Sequence, residues 1–77
     1  MTEHQQLAFE LETHLIDTDQ WDRDDVPEEA RELAHKELAL GMPSAIGFHE
    51  DGVGWFVLVT QGQGPAIAWV ANRDKLP

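Results

Sequence analysis

Residues 44–73, SAIGFHEDGVGWFVLVTQGQGPAIAWVANR, decide the fold that this sequence predicts. Branched and aromatic side chains dominate three short runs, which are separated by Asp51-Gly52 and by the glycine-rich residues 62–65. Such runs favour β-strands, and Asp-Gly between two of them is typical of a tight hairpin turn. We therefore expect a three-stranded antiparallel β-meander.

The two turns set the register of this sheet, because each strand residue faces the one equally far from the turn centre. A turn centred on Asp51-Gly52 gives the pairs Phe48–Trp55, Ile46–Val57 and Gly47–Phe56. A turn centred on Gly62-Gln63 gives the pairs Phe56–Trp69, Leu58–Ile67 and Trp55–Val70. The second register is open, since Gly64-Pro65 can lengthen the loop.

Both faces of the predicted sheet are apolar, whereas a sheet with one wet face alternates apolar and polar residues. One face carries Ile46, Phe48, Trp55, Val57, Val59 and Val70, and the other carries Phe56, Leu58, Ile67 and Trp69. Two short helices are expected to cover one face. The other face, or its edge strand, then needs a homodimer contact, a different partner, or an N-terminal segment that wraps around the sheet. The residues predicted at a homodimer contact are Phe48, Trp55, Val57 and Trp69.

The first helix is predicted over residues 3–16, with Thr2 as its cap and Leu7, Leu11 and Leu15 on one face. Phe9, Leu11, Thr13 and Leu15 also alternate as in a strand, but the abundance of Glu, Gln, Leu and Ala favours a helix.

The second helix is predicted from about Val26 to Leu40. Asp25 would be its N-cap, Pro27 an early helical residue, and Gly41 its end. Its buried face would carry Ala30, Leu33, Ala34 and Leu38. The chain is thus predicted to be one α+β domain over residues 1–77, in which a helical half (1–40) packs as one layer on the β-meander (44–73) in the order ααβββ.

The formal net charge is −10, and it belongs to one half of the chain. Residues 1–40 hold twelve acidic and three basic residues, whereas residues 41–77 hold three and two. Such a field repels nucleic acid and anionic membranes and attracts basic surfaces. It is also the ordinary means by which a small protein stays soluble.

The stretch 17–29, DTDQWDRDDVPEE, holds seven carboxylates and one tryptophan. Carboxylates along a loop and helix can occupy a basic groove in place of phosphates. We therefore expect an acidic inhibitor that acts as a DNA mimic on a basic nucleic-acid-handling protein, through Asp17, Asp19, Asp22, Asp24, Asp25, Glu28, Glu29 and Glu32. Trp21 would be either an aromatic anchor at that interface or a staple of the helix pair.

In size and charge alone, the chain is similar to phage antirestriction and anti-CRISPR proteins and to immunity proteins of nuclease toxins. The alternative hypothesis is an assembly protein that forms homodimers through its sheet, with the acids serving only solubility. The absence of cysteine, of a signal peptide and of a membrane-spanning stretch suggests a cytoplasmic protein, in a bacterial host if phage-encoded.

Enzymatic and cofactor functions are not expected. Asp17, Asp19 and Glu28 match three positions of a calcium loop, but Trp21 and Asp22 occupy the positions that need an oxygen ligand and a glycine. The four histidines show no zinc-binding spacing. The single serine, Ser44, lies in no nucleophile motif, and there is no cysteine. We predict no catalytic residue, no metal and no cofactor.

Overall fold

The computed structural model describes residues 3–77 and has the predicted α+β class. Helix α1 (Glu3–Leu11) continues into a 3₁₀ turn at Glu12–His14, and helix α2 spans Glu28–Ala39. Strands β1 (Ser44–His49), β2 (Gly54–Gln61) and β3 (Gly64–Val70) follow in sequence. The predicted cap of α1, Thr2, lies outside the described residues. No helix within residues 3–77 has the length and hydrophobicity to cross a lipid bilayer.

The sheet is an antiparallel meander of order β1-β2-β3, as predicted. All three predicted pairs of the first hairpin are present: Phe48–Trp55, Ile46–Val57 and Gly47–Phe56. The last pair is His49–Gly54, so the loop has four residues around Asp51-Gly52 rather than two. Gly54 takes a φ of +71°, which glycine tolerates without strain.

The second hairpin keeps the predicted turn but not the whole predicted register. Gln61 pairs with Gly64 and Leu58 with Ile67, which confirms a turn at Gly62-Gln63. Beyond that point a β-bulge leaves Ala68 without a partner, and the next pairs are Val57–Trp69 and Phe56–Val70. The predicted pairs Phe56–Trp69 and Trp55–Val70 are therefore wrong by one residue. An extra residue in one strand reverses every side chain beyond it.

The two helices pack on opposite faces of the sheet. Ala8 and Leu11 of α1 share a buried cluster with Phe56 and Leu58 of β2, and α1 contacts β3. Successive residues of a strand point to opposite faces, so the neighbouring Val57 belongs to the other side.

On that other side, Val57 shares a cluster with Ala30 and Ala34 of α2. The predicted two-layer packing is wrong, since the sheet lies between α1 and α2. Each helix covers one apolar face, and the wrap-around alternative describes the chain. The need for a second copy over an open face, on which the homodimer prediction rested, is absent.

The chain passes from one face to the other around the outer edge of β1. Leu15 forms an antiparallel bridge with Gly47, and the Ile16 N–H donates to the Ile46 carbonyl at 2.9 Å. The first helix therefore stops at Leu11, short of the predicted residue 16. Gly47 is needed at this crossing: a Cβ there would lie 2.3 Å from Phe56 Cζ and 2.5 Å from the His14 carbonyl oxygen.

Helix α2 ends as predicted but begins later than predicted. Gly41 takes a φ of +86°, and the Met42 N–H reaches back to the Glu37 carbonyl at 2.9 Å, which is a Schellman termination. At the start, the cap position is Pro27, not Asp25. Of the predicted buried residues, Ala30 and Ala34 are fully buried and Leu33 is half-buried, but Leu38 is 42% exposed.

Candidate functional site

The acidic connector, defined here as residues 17–27, follows a defined path of tight turns. The Gln20 N–H donates to Asp17 O at 2.9 Å, Arg23 N–H to Gln20 O at 3.1 Å, and Val26 N–H to Arg23 O at 3.1 Å. A 3₁₀ turn spans Thr18–Gln20. Consecutive backbone bonds of this kind fix the direction in which each side chain leaves the chain. The connector is thus a shaped element and not the loose linker that its composition would allow.

Two apolar side chains anchor the connector in the core. Trp21 is 2% exposed and Val26 is 3% exposed, and both pack with Ala30, Ala34 and Ile46. The Trp21 indole also contacts the exposed His35 ring in a T-shaped arrangement, with centroids 5.1 Å apart. Trp21 packs on α2 and the sheet and not between the two helices, so the predicted staple of the helix pair is wrong. Because its ring is buried, it presents no surface on which a partner could dock.

The Arg31 side chain binds the backbone carbonyl groups of the connector. The guanidinium donates from Nε to Trp21 O at 2.9 Å, and from Nη2 to Arg23 O at 3.1 Å and Val26 O at 3.3 Å. Arginine has five donors in a planar fork, so one side chain can bind several acceptors at once. This bracing role was missed by sequence reasoning, and no local motif around Arg31 indicates it.

The eight predicted partner-binding carboxylates are all exposed, and we call them the acidic surface: Asp17, Asp19, Asp22, Asp24, Asp25, Glu28, Glu29 and Glu32. The first five leave the connector and the other three leave the first turns of α2. Within residues 3–77, the only ion pair that involves this surface joins Arg23 to Asp25. Most of its negative charge therefore faces solvent without a countercharge from the protein.

Arg23 binds Asp25 through two nitrogen atoms, one of them Nε at 2.9 Å from Oδ1. Its guanidinium also lies 5.9 Å from the centre of the Trp55 ring. The Asp25 side chain makes no cap bond to α2, so its predicted N-cap role is wrong. Asp25 is the member of the acidic surface whose charge is already compensated.

An open groove lies beside the first turns of α2, with a volume of about 650 Å³. Glu28, Glu29 and Glu32 line one part of it, and Pro27, Trp69 and Ala71 line the rest. Trp69 is half-buried, so part of its indole faces the groove. The aromatic ring that lies beside exposed carboxylates is thus Trp69, whereas the sequence suggested Trp21. The sequence pattern does not indicate Trp69, because the bulge at Ala68 sets the direction of its side chain.

Of the four residues predicted for a homodimer contact, Phe48, Trp55 and Trp69 keep exposed area and Val57 does not. Val57 is fully buried inside the protein, and Trp69 borders the groove beside α2. Phe48 is 42% exposed and packs on the half-buried Trp55, with ring centroids 5.0 Å apart. Val57 therefore has no exposed area in the single chain, and the homodimer contact stays a prediction.

The residues considered for metal binding and catalysis are not brought together as one site, although two of the histidines lie side by side. Within the described residues 3–77, no group of three or more His, Asp or Glu side chains is placed to hold a metal ion. His14 and His49 form a ring pair 4.8 Å apart, and Glu10 approaches His49 at 4.0 Å. The Ser44 hydroxyl donates to the Ala34 carbonyl at 2.7 Å and so ties β1 to α2.

Comparison with known proteins gives no match: no protein-family model, curated protein or solved structure is significantly similar to the chain.

Proposed function

We propose that this protein binds a basic nucleic-acid-handling protein in the cytoplasm and blocks it by placing carboxylates where that partner receives phosphates. The observation that carries the proposal is the set of hydrogen bonds made by Arg31. Its guanidinium binds three backbone carbonyls, so it fixes the connector without neutralising the carboxylates around it. The result is a rigid surface of exposed negative charge.

Rigidity matters because a flexible acidic tail loses conformational entropy on binding, whereas a shaped surface has lost that entropy on folding. Trp21 and Val26 hold the connector from below, and Arg31 holds it from the side. Uncompensated carboxylates attract lysine and arginine over a distance of about 10 Å at ordinary ionic strength. Such complementarity raises the association rate and selects basic partners. Inhibitors of the anti-CRISPR, antirestriction or nuclease-immunity type would act in this manner.

Self-assembly through the sheet is the less supported function, because α1 and α2 already cover the two sheet faces. The acidic surface, in contrast, has internal roles for only half of its charges. Glu28 and Glu29 stabilise the start of α2, Asp25 compensates Arg23, and Asp17 caps the 3₁₀ turn Thr18–Gln20. Asp19, Asp22 and Asp24 have none of these roles.

The test is capture of a partner from a host lysate on the immobilised protein at low salt, followed by elution in a salt gradient. We expect one defined nuclease or nucleic-acid-binding complex that elutes late and that added duplex DNA or RNA displaces. The triple variant Asp19→Asn, Asp22→Asn, Asp24→Asn should lower its affinity by about tenfold, since each exposed pair contributes up to about 1 kcal/mol.

The matched control removes three exposed charges elsewhere: Glu3→Gln, Glu12→Gln and Glu50→Gln. It has the same net charge as the triple variant and should bind almost as the parent does. Equal loss in both variants would indicate a general charge effect and would contradict a recognition surface on the connector.

A further inference from the structure

The groove beside α2 is lined by an aromatic ring together with carboxylates. Glu28, Glu29 and Glu32 leave the first turns of α2 and line the groove with Trp69, and Pro27 and Ala71 complete the lining. The three carboxylates outweigh the positive end of α2, which is equivalent to roughly half an elementary charge. The groove therefore favours a cation.

Trp69 is available to such a cation. The bulge at Ala68 turns its ring toward the α2 side, where it is half-buried against the core. Among residues 3–77, Trp55 has the Arg23 guanidinium over its ring, but no cation of the chain lies over Trp69.

The protein contains an internal example of the contact that this groove would make. Arg23 places its guanidinium 5.9 Å from the centre of the Trp55 ring while it binds the Asp25 carboxylate through two nitrogens. A planar guanidinium can stack on an indole and still bind a carboxylate edge-on, which an ammonium group cannot do. The groove offers the same two partners, an indole and carboxylates, to a guanidinium from outside.

We infer that this groove receives an arginine side chain of the basic partner, stacked on Trp69 and paired with Glu29 and Glu32. The inference rests on the proposed function, since it names the side chain that the partner would insert. Arginine is selected over lysine because the indole face attracts the weakly hydrated guanidinium more strongly.

The probe is a tetra-arginine peptide, compared with tetra-lysine of equal charge, in titrations followed by the indole N–H signals of the three tryptophans. We expect the Trp69 signal to move with saturation, and arginine to bind roughly threefold more tightly than lysine. The Trp21 signal should stay still because its nitrogen is buried, and Trp55 is the control aromatic that Arg23 already occupies.

Substitution of Glu29→Gln with Glu32→Gln should weaken tetra-arginine binding by about fivefold, because two exposed charge pairs are lost. The matched pair Glu12→Gln with Glu50→Gln removes the same charge from outside the groove and should leave the Trp69 response nearly unchanged. A Trp69 signal that does not move, or equal affinities for the two peptides, would overturn the inference.

The two proposals can fail separately. If the captured partner depends on Asp22 and Asp24 but binds the Glu29→Gln, Glu32→Gln variant as it binds the parent, the groove assignment is wrong and the function stands. If no nucleic-acid-handling partner is captured but tetra-arginine saturates Trp69, the function is wrong and the groove remains an arginine site.

Discussion

Arg31 donates a hydrogen bond from Nε to the backbone carbonyl of Trp21 at 2.9 Å, although the stretch 17–29 offers seven carboxylates. The same guanidinium reaches the carbonyls of Arg23 and Val26. A carbonyl holds the path of the backbone, whereas a carboxylate would hold only one side chain. Because the acceptors are backbone carbonyls, Arg31 makes the connector rigid. The carboxylates of the connector remain directed toward solvent.

Replacing Arg31 should loosen the connector. Arg31→Leu leaves three carbonyls without their charged donor, and we expect the free energy of unfolding to fall by about 2–3 kcal/mol in urea titrations. Arg31→Lys keeps the charge but not the planar fork and should lose roughly half as much. The control Arg73→Leu changes an exposed arginine and should stay within about 0.5 kcal/mol of the parent. Equal stability of Arg31→Leu and Arg73→Leu would contradict the bracing role.

A side chain at position 47 should destabilise the protein where the chain crosses the edge of β1. Gly47→Ala places a methyl group 2.3 Å from Phe56 Cζ and against the His14 carbonyl, so we expect a loss of at least about 2 kcal/mol in thermal unfolding. Gly62→Ala is the matched control, because nothing lies within 4 Å of a Cβ there and φ is not positive. It should be neutral or slightly stabilising. A well-tolerated Gly47→Ala would mean that the chain crosses elsewhere.

The bulge at Ala68 should not be needed for the packing of the sheet. Deletion of Ala68 makes Ile67 and Trp69 consecutive residues, and plain alternation then keeps them on the opposite sides of the sheet that they occupy now. We expect the deletion variant to retain cooperative unfolding and dispersed methyl resonances. Ala68→Ser keeps the extra residue at an exposed position and should preserve both as well. A deletion variant that loses cooperative unfolding would show that Trp69 needs the bulge.

The covered sheet faces lead us to expect a monomer with a mass near 8.7 kDa in light scattering. Phe48→Glu, at a position 42% exposed, should remain folded with the same mass. Val57→Glu should unfold the chain, because Val57 is fully buried between the sheet and α2. A parent of twice this mass that Phe48→Glu converts to a folded monomer would restore the homodimer hypothesis.

The elements that local signals encode could be predicted from the sequence. Asp51-Gly52 located the first hairpin and its register, and Gly41 located the end of α2. Both depend on turn chemistry within a few residues.

Features that depend on distant contacts could not be predicted in this way. Residues 66–70, AIAWV, look like plain alternation, and only packing on both faces reveals that Ala68 is an extra residue. The chain crosses the edge of β1 where Leu15 pairs with Gly47, and these residues are more than thirty positions apart in the sequence. The periodicity of residues within α1 therefore does not predict this crossing. The carboxylates of the acidic surface could be named from composition, but the burial of Trp21 and the part played by Arg31 are tertiary effects.

The most direct test of the central claim is the dissociation constant of the captured partner, measured for the parent, for Asp19→Asn, Asp22→Asn, Asp24→Asn, and for Glu3→Gln, Glu12→Gln, Glu50→Gln, each at several salt concentrations. A recognition surface on the connector predicts about tenfold weaker binding and a shallower salt dependence for the aspartate variant alone. If all three proteins bind with the same affinity and the same salt dependence, the connector is only a solvated part of the fold.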